Sequence, residues 1–238
     1  MKKFFYPILV FAFLLSSFSC FAQNFQALQK RDWAFLTRYA EENATVTTTP
    51  KVVFMGDSIT EGWKSHFPEY FNNPNYINRG ISGQTTPQML LRFRQDVIKL
   101  YPKVVVILAG TNDIAGNTGP STLEMVEDNL YTMAELAKAH NIEVVLCAVL
   151  PAADYHWQPG VEPANKIMEL NRRIKRYADE QGIVYANYFA PMADEQKGLK
   201  DEYTYDGVHP NRAGYEAMAP VAEEAIERAL KRWKDKNK

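Results

Sequence analysis

The chain has 238 residues, of which 46% are hydrophobic, 13% aromatic and 23% charged, and its formal net charge is −1 at pH 7. This length and composition are typical of one globular domain with a sizeable core. Because 27 Lys and Arg residues are balanced by 28 Asp and Glu residues, the chain lacks the basic character of a nucleic-acid-binding protein, and no nucleic-acid partner is expected.

Residues 1–22 have the layout of a secretory signal peptide, with two lysines before an apolar run that ends in small residues. Cleavage after Ala22 would leave residues 23–238 as one exported domain, periplasmic or extracellular, with no membrane-spanning segment. Two alternatives stay open. Cys20 could be the lipidated cysteine of a bacterial lipoprotein, or the run could remain as an anchor, although it is short for a span and contains Pro7.

Short β-branched runs alternate with longer helical patterns in the rest of the chain. The pattern predicts an opening helix over about residues 24–42. Five strands are predicted, several of them apolar on both faces, at residues 51–55, 76–78, 103–110, 143–150 and 183–188. Helical spacing of apolar residues predicts further helices over residues 85–100, 121–140, 162–182 and 211–234.

Capping residues support these helix boundaries. Thr85 or Thr86 precedes a proline at one helix start, Ser121 stands at the next, and Gly182 follows the third helix. The alternation predicts an α/β protein, a three-layer α/β/α sandwich around a flavodoxin-like sheet of five parallel strands. Since no linker or repeat interrupts residues 23–238, a single domain is predicted.

Four chemically distinctive blocks lie at the predicted strand ends and before the last helix. GDSITEGW follows the first strand, RGISGQTT the second and GTND the third, and YDGVHPNRAGY precedes the last helix. Ligands of such sheets bind outside the carboxyl ends of the strands. The blocks are therefore expected to meet in one site.

In this order the four blocks resemble those of the SGNH hydrolases, also called the GDSL esterase family. The run NRGISGQTT is similar to the branch that includes platelet-activating-factor acetylhydrolase subunits and bacterial carbohydrate acetylesterases. The resemblance extends from about Lys51 to Tyr215. One departure is Ile59, where the short family name has leucine, and this change touches no reacting atom.

The resemblance implies Ser58 as the nucleophile, with Asp206 and His209 as its acid and base. It also implies that Gly83 and Asn112 form an oxyanion hole together with the backbone of Ser58. The chemistry of these residue types agrees, because a serine hydroxyl needs a neighbouring base and an imidazole needs a carboxylate to fix its tautomer. By itself Ser58 reads better as a helix N-cap than as a nucleophile, but the joint pattern favours catalysis.

Aromatic residues near these blocks are further candidates. We expect substrate contact from some of Trp63, Tyr155, His156 and Trp157, the alternative being a packed loop corner. Asp57 is expected to shape its loop by accepting backbone hydrogen bonds, as is Asp113 after the third strand. The sequence lacks metal-ligand spacings, so no metal or other cofactor is expected.

The sequence thus predicts an exported serine esterase whose substrate is an acylated small molecule or glycan. Acetyl esters of carbohydrates are favoured, because the 216 residues after position 22 are almost wholly used by strands and helices and leave no long apolar insertion for an acyl chain. A lipase or lysophospholipase and a non-catalytic carbohydrate-binding protein are the alternatives. A flavodoxin-like electron carrier is disfavoured, since Asp57 and Glu61 would repel a phosphate. The oligomeric state is left open.

Overall fold

The computed structural model describes residues 32–238, and their strands form one parallel sheet. The strands are β1 (Val52–Gly56), β2 (Tyr76–Gly80), β3 (Val104–Leu108), β4 (Glu143–Cys147) and β5 (Val184–Ala186). Their order in the sheet is β2-β1-β3-β4-β5, with parallel pairing throughout. The chain therefore changes direction across the sheet between β1 and β3, where sheets of this order leave a crevice for ligands.

Helices fill the connections between the strands. In the part of the chain that the structure describes they are α1 (Ala40–Ala44), α2 (Ser58–His66), α3 (Thr86–Asp96), α4 (Thr111–Ile114), α5 (Leu123–Ala139), α6 (Pro163–Gln181), α7 (Phe189–Met192) and α8 (Arg212–Lys236). Short 3₁₀ turns add Pro68–Asn72, Ile98–Leu100 and Asp201–Tyr203.

Alternate residues of the buried strands face opposite helical layers. In β1, Val53 and Met55 pack with side chains of α3, α5 and α6, whereas Val52 and Phe54 pack with side chains of α2 and α8. Both faces of the central strands are buried, which explains why their sequences read as continuous apolar runs. The predicted three-layer α/β/α sandwich with five parallel strands is confirmed.

The first predicted helix is wrong over residues 32–39, whereas residues 40–42 are helical as predicted. Residues 32–39 form turns, and among the residues that the structure describes before β1 only α1 is helical. Phe35 has a φ of 53°, in the left-handed region that an α-helix cannot include. Residues 24–31 of that prediction lie outside the described residues.

Helix ends differ from prediction in detail. Thr122, not Ser121, caps α5, because its hydroxyl accepts from the Met125 backbone N–H at 3.2 Å. At α3 the cap is Thr85, which forms a capping box with Gln88. Gly182 ends α6 with a φ of 62°, as predicted.

Residues 34–238 form one compact unit. No helix within residues 32–238 is both long and apolar enough to cross a bilayer. The predicted signal peptide, its cleavage site after Ala22 and the alternative role of Cys20 all lie outside the described residues.

Candidate active site

Ser58 is the first residue of α2, and Asp57 alone separates it from the end of β1. The helix cap is Asp57, whose Oδ1 accepts from the Ile59 backbone N–H at 2.9 Å. The alternative interpretation of Ser58 as the N-cap is therefore wrong, and its hydroxyl is free for other partners. Gly80 at the end of β2 allows this placement of α2, because a Cβ there would lie 2.2 Å from the Glu61 backbone nitrogen.

Three of the predicted residues form a hydrogen-bonded row. The Ser58 Oγ lies 2.9 Å from the Nε2 of His209, and the Nδ1 of His209 lies 2.7 Å from the Oδ2 of Asp206. Both distances suit proton transfer through the imidazole. The row can therefore move a proton from the serine hydroxyl to a ring whose other nitrogen is held by a carboxylate.

The turn at residues 204–210, called the histidine turn below, aims two members of this row. Asp206 Oδ1 accepts from the backbone N–H groups of Val208 and His209, at 3.0 and 2.7 Å. The Thr204 hydroxyl accepts from Gly207 N–H and donates to the His209 carbonyl. Partial burial raises the pKa of Asp206, but the hydrogen bonds from His209 and Val208 outweigh it, so the pKa lies below its usual range.

Asp57 differs from Asp206 in its surroundings. Its side chain is fully buried, and this desolvation raises its pKa to about 7, against the lowering effect of the Ile59 hydrogen bond and of nearby His209. The charge of Asp113 raises it further. Asp57 thus shapes the start of α2, as predicted. Its burial disfavours the ionised form of its carboxyl group.

Residues 81–86 follow β2 and are called the glycine loop below. Gly83 has a φ of 75°, and a Cβ built on it would meet no described atom within 4 Å. Glycine is therefore favoured at position 83 by its backbone conformation and not by a lack of space within the protein for a side chain. Within the described chain the Gly83 N–H has no acceptor, and Ser58 N–H, at a helix start, lacks one inside its helix.

Asn112 adds a third donor at the same cleft. It is 4% exposed, and its Nδ2 donates to the Gln84 carbonyl of the glycine loop at 3.0 Å. A side-chain amide carries two N–H groups, so a second donor is left for a ligand. Gly83, Asn112 and Ser58 line the same cleft and could together bind a developing oxyanion.

Side chains from three helices hold the glycine loop. Glu61 of α2 accepts from both the backbone N–H and the hydroxyl of Ser82. Asp113 of α4 accepts from the Thr86 N–H at 3.0 Å and from its hydroxyl at 2.6 Å. Asp113 is expected from the sequence to shape its own loop after β3, but these bonds hold the glycine loop after β2 instead.

Arg92 of α3 joins the glycine loop to the end of β1. Its fully buried guanidinium donates to Gln84 Oε1 at 2.6 Å and to the Gly56 carbonyl at 3.0 Å. An ion pair with Asp96 at 3.1 Å satisfies its charge. The Gly56 carbonyl, two residues before Ser58, and the side chain of Gln84, directly after Gly83, are therefore tied to one guanidinium.

The segment after β4 is connected to the residues after β3 by two side-chain bonds. The hydroxyl of buried Tyr155 lies 2.7 Å from the Thr111 hydroxyl. Trp157 stacks on Tyr155 with ring centroids 4.9 Å apart, and its Nε1 donates to Asn117 Oδ1 at 3.3 Å. The orientation of Trp157 is thus fixed from both its face and its edge.

A cleft of about 640 Å³ opens over the Ser58 hydroxyl. Two rings on its wall flank His209: Tyr205 with centroids 5.9 Å apart and Trp157 with centroids 6.3 Å apart. Tyr205 is 61% exposed and Trp157 37% exposed. The lining residues are Ser58, Glu61, Gly62, Lys64, Ser65, His66, Ser82, Gly83, Asn112, Asn117, Trp157, Tyr205, His209 and Tyr215.

The expectation of substrate contact needs correction for three of the four aromatic candidates. Trp63 is 2% exposed and stacks between Tyr70 and Tyr215 in the core. Tyr155 is fully buried because its hydroxyl finds an internal partner. His156 is exposed but is not part of the cleft lining, which leaves Trp157.

Sequence reasoning missed Tyr205, Asn117, Glu61 and Arg92. Tyr205 directly precedes Asp206, and Asn117 lies five residues after Asn112, so nearness to the motif blocks was the available signal. Glu61 acts on Ser82 and Arg92 acts on Gly56, and both partners are distant in the chain. Within residues 32–238, no group of three or more His, Cys, Asp or Glu side chains is arranged to hold a metal ion.

The chain is similar to known acylhydrolases and esterases. The sequence profile of the GDSL-like lipase/acylhydrolase family matches residues 54–217. The lipoprotein YqeF of Bacillus subtilis is 32% identical over 117 residues, 42% of this chain and 48% of that protein. The arylesterase of Vibrio mimicus is 25% identical over 198 residues, 77% of this chain and 92% of that protein.

A solved relative extends the match to most of the fold. The crystal structure of a GDSL-like lipase from Bacteroides thetaiotaomicron superposes with a TM-score of 0.80 and 49% identity, covering 83% of this chain and 100% of that one. In contrast, the match to YqeF spans only about half of the lipoprotein's length.

Proposed function

The chain belongs to the GDSL-like lipase/acylhydrolase family of carboxylic ester hydrolases, and from this premise we propose that it removes short acyl groups, chiefly acetyl, from carbohydrates. The observation that carries the proposal is the row of Ser58, His209 and Asp206 beneath a cleft whose described lining residues include no aliphatic amino acid.

In the proposed reaction the Ser58 hydroxyl attacks the ester carbonyl carbon while His209 Nε2 takes its proton. Asp206, kept ionised by its hydrogen bonds, stabilises the imidazolium that forms. His209 then gives the proton to the departing alcohol oxygen as the carbon–oxygen bond breaks, which leaves acyl-Ser58. Water, deprotonated by the same histidine, releases the carboxylic acid and restores the serine.

The negative charge of each tetrahedral intermediate needs donors that point at it beforehand. The backbone N–H groups of Ser58 and Gly83 and the free amide N–H of Asn112 are proposed for this role. Loss of one such donor costs about 10²–10³ in kcat in enzymes of this chemistry. The bracing of the glycine loop and the burial of Asn112 support the proposal, because neither has to reorganise during the reaction.

The lining of the cleft supports a short acyl group. Among its described lining residues there is no Leu, Ile, Val, Met, Phe or Ala, and the large apolar side chains are Trp157, Tyr205 and Tyr215. A long acyl chain needs an extended apolar groove to remove its methylenes from water, each worth about 0.8 kcal/mol. The lipase or lysophospholipase alternative therefore has less support than an esterase for small acyl groups.

The size and rings of the cleft support a sugar as the alcohol part. A volume of about 640 Å³ is within the range that holds a drug-sized ligand and exceeds what a two-carbon acyl group fills. Tyr205 and Trp157 offer exposed ring faces beside His209, and the Tyr205 hydroxyl and the side chains of Ser82 and Asn117 could meet substrate hydroxyl groups.

A substrate panel tests this proposal. We expect kcat/KM for p-nitrophenyl esters to fall steeply beyond butyrate, and acetate to appear from acetylated oligosaccharides. The Ser58→Ala protein, prepared identically, controls for contaminating esterases. Faster turnover of decanoyl esters or lysophospholipids than of any acetylated sugar would overturn the proposal in favour of a lipase. A fluorophosphonate that fails to label Ser58 would instead favour a non-catalytic binding protein.

Export is the second part of the proposal. The pattern of residues 1–22 and the similarity to a lipoprotein support it. Mass spectrometry of the protein from a Gram-negative host distinguishes the two forms: a chain that begins at Gln23 indicates signal cleavage after Ala22, and a diacylglyceryl Cys20 indicates a lipoprotein. An intact Met1 in the cytoplasmic fraction would contradict export.

A further inference from the structure

Asn117 contacts both proposed oxyanion residues outside Ser58. Its Nδ2 donates to Asn112 Oδ1 at 2.8 Å and to the Gly83 carbonyl at 3.4 Å. Its backbone N–H donates to the Asn112 carbonyl at 3.0 Å. Its own Oδ1 accepts from the Trp157 indole at 3.3 Å. One side chain at the cleft rim thus connects Trp157, Asn112 and Gly83.

The hydrogen bonds that link Trp157 through Asn117 to Asn112 have a fixed direction from donor to acceptor. The indole N–H of Trp157 can only donate, so it requires the oxygen of the Asn117 amide to face it. The Asn117 NH₂ group then faces Asn112 and requires an oxygen there. At the far end, the Gln84 carbonyl can only accept, and it faces the Asn112 nitrogen. The Trp157 indole N–H and the Gln84 carbonyl lie at the two ends of this series of hydrogen bonds. Both require the same orientation of the Asn117 and Asn112 amides.

This direction matters because an asparagine amide is nearly symmetric in shape. If the Asn112 amide turned by 180°, its oxygen would face the cleft and would repel the oxyanion that its nitrogen is proposed to bind. A buried amide is held in one orientation by the sum of its hydrogen bonds. Asn112 has two such bonds from the protein, and Asn117 supplies one of them.

We propose that Asn117 is a positioning residue that keeps the Asn112 amide nitrogen turned toward the oxyanion, and that the Trp157 indole N–H sets the orientation of Asn117. In this role neither Asn117 nor Trp157 contacts the reacting atoms, because both act through hydrogen bonds that lead to Asn112. The inference rests on the proposed function, since it requires Asn112 to stabilise an oxyanion. It also links a wall of the substrate cleft to the stabilisation of the transition state.

Asn117→Ala removes the bond to Asn112 without adding charge, and steady-state hydrolysis of p-nitrophenyl acetate is the readout. We expect kcat to fall about tenfold while KM stays within about threefold, because the affected bond belongs to the transition state. Trp157→Phe keeps the ring but lacks the donor, and a fall of about threefold in kcat is expected. Asn237→Ala, at the chain end, is the matched control and should equal wild type.

A double-mutant cycle separates positioning from a general structural effect. In an Asn112→Ala background, Asn117→Ala should cause no further loss of kcat, because the amide that it orients is gone. Circular dichroism and the unfolding midpoint check each variant for folding. If Asn117→Ala does not fold, the cycle is run with Trp157→Phe instead.

The outcomes distinguish this inference from the proposed function. A wild-type kcat for Asn117→Ala, or losses that simply add in the double mutant, would overturn the positioning role. An unchanged kcat for Asn112→Ala would overturn the proposed oxyanion hole itself, and with it the basis of this inference. A rise in KM alone for Asn117→Ala would indicate substrate binding instead of positioning.

Discussion

The glycine loop and the histidine turn, on two sides of the same serine, are stabilised in different ways. Side chains from α2, α3 and α4 hold the glycine loop, and all of these bonds come from outside it. The histidine turn is held mainly by bonds among its own residues 204–210. Asn112, beside the glycine loop, is 4% exposed, whereas the side chains of His209 and Asp206 are 24% and 21% exposed.

The difference follows from what each side is proposed to do. Oxyanion donors act best when they are fixed before charge develops, because any reorientation during the reaction adds to the barrier. A general base must receive a proton, turn slightly toward the leaving group and release the proton again. External bracing therefore suits the glycine loop, and a short turn with access to solvent suits His209.

Removal of the base or the nucleophile should have the largest effect. His209→Ala and Ser58→Ala are each expected to lower kcat by about 10⁵–10⁶, and the double variant should lose little more, since the two residues act as one unit. Because Asp57 caps α2, Ser58→Ala should barely change the unfolding midpoint. Hydrolysis of p-nitrophenyl acetate measures kcat, and thermal unfolding measures the midpoint. More than a small residual rate in purified Ser58→Ala protein would contradict its role as nucleophile.

Asn112→Ala tests the braced side with a smaller expected loss. We expect kcat to fall about 10²–10³-fold with little change in KM, because the hydrogen bond strengthens only as charge develops. The variant also loses the bond to the Gln84 carbonyl, so its unfolding midpoint must be measured beside its rate. Asn129→Ala, which removes an amide bond to the Thr86 hydroxyl further from the cleft, is the comparison. A rise in KM alone would make Asn112 a ground-state binding residue.

The sheet and the longer helices were predictable because they depend on local periodicity. Val104–Leu108 is apolar at every position, which indicates a strand buried on both faces, and Leu123–Ala139 repeats its apolar residues at helical spacing. The order of the motif blocks also placed Ser58, His209 and Asn112 at one sheet edge. The weak point was the start of the chain, where the backbone at Phe35 departs from a helix that its neighbours favour.

Contacts between distant segments could not be read from local pattern. Tyr155 and Trp157 are two residues apart and equally aromatic, yet a hydroxyl partner at Thr111 buries the first and leaves the second on the cleft wall. The role of Arg92 depends on its meeting Gly56 from 36 positions away. Such roles follow from which side chains the fold brings together, and a single sequence does not display them.

Asp57 allows the electrostatic side of the comparison to be tested by pH. Its folded pKa of about 7 lies above its ordinary value of 3.8, so the folded protein binds the extra proton between these values. Stability from this group is therefore present below about pH 4 and lost as the pH rises through 7. Asp57→Asn keeps an oxygen for the Ile59 N–H but does not titrate.

We therefore expect the free energy of unfolding of Asp57→Asn to increase relative to that of the wild type as pH rises from 4 to 8. One pKa unit corresponds to about 1.4 kcal/mol, so the gain should be about 1–4 kcal/mol. Urea unfolding at several pH values measures it, with exposed Asp128→Asn as the matched control. A difference that does not depend on pH would show that Asp57 is not held protonated by the fold.

Tyr205 provides the last and smallest test, on the open side of the cleft. Its ring is 61% exposed beside His209 and has no core to stabilise, so its contribution should appear only when a substrate covers it. Aromatic contacts of this kind are worth about 0.5–1.5 kcal/mol, which corresponds to a two- to tenfold change. For Tyr205→Ala we therefore expect the ratio of kcat/KM for an acetylated xylo-oligosaccharide to that for ethyl acetate to fall about two- to tenfold, mainly through KM.

Tyr205→Phe should keep most of the ratio because it keeps the ring, and Tyr101→Ala, which removes a 73% exposed ring before β3, should keep all of it. Using a ratio cancels any disturbance of neighbouring Asp206, since both substrates need the same base. An unchanged ratio for Tyr205→Ala would mean that the alcohol part of the substrate does not lie on this ring, and would leave Trp157 as the aromatic wall to examine.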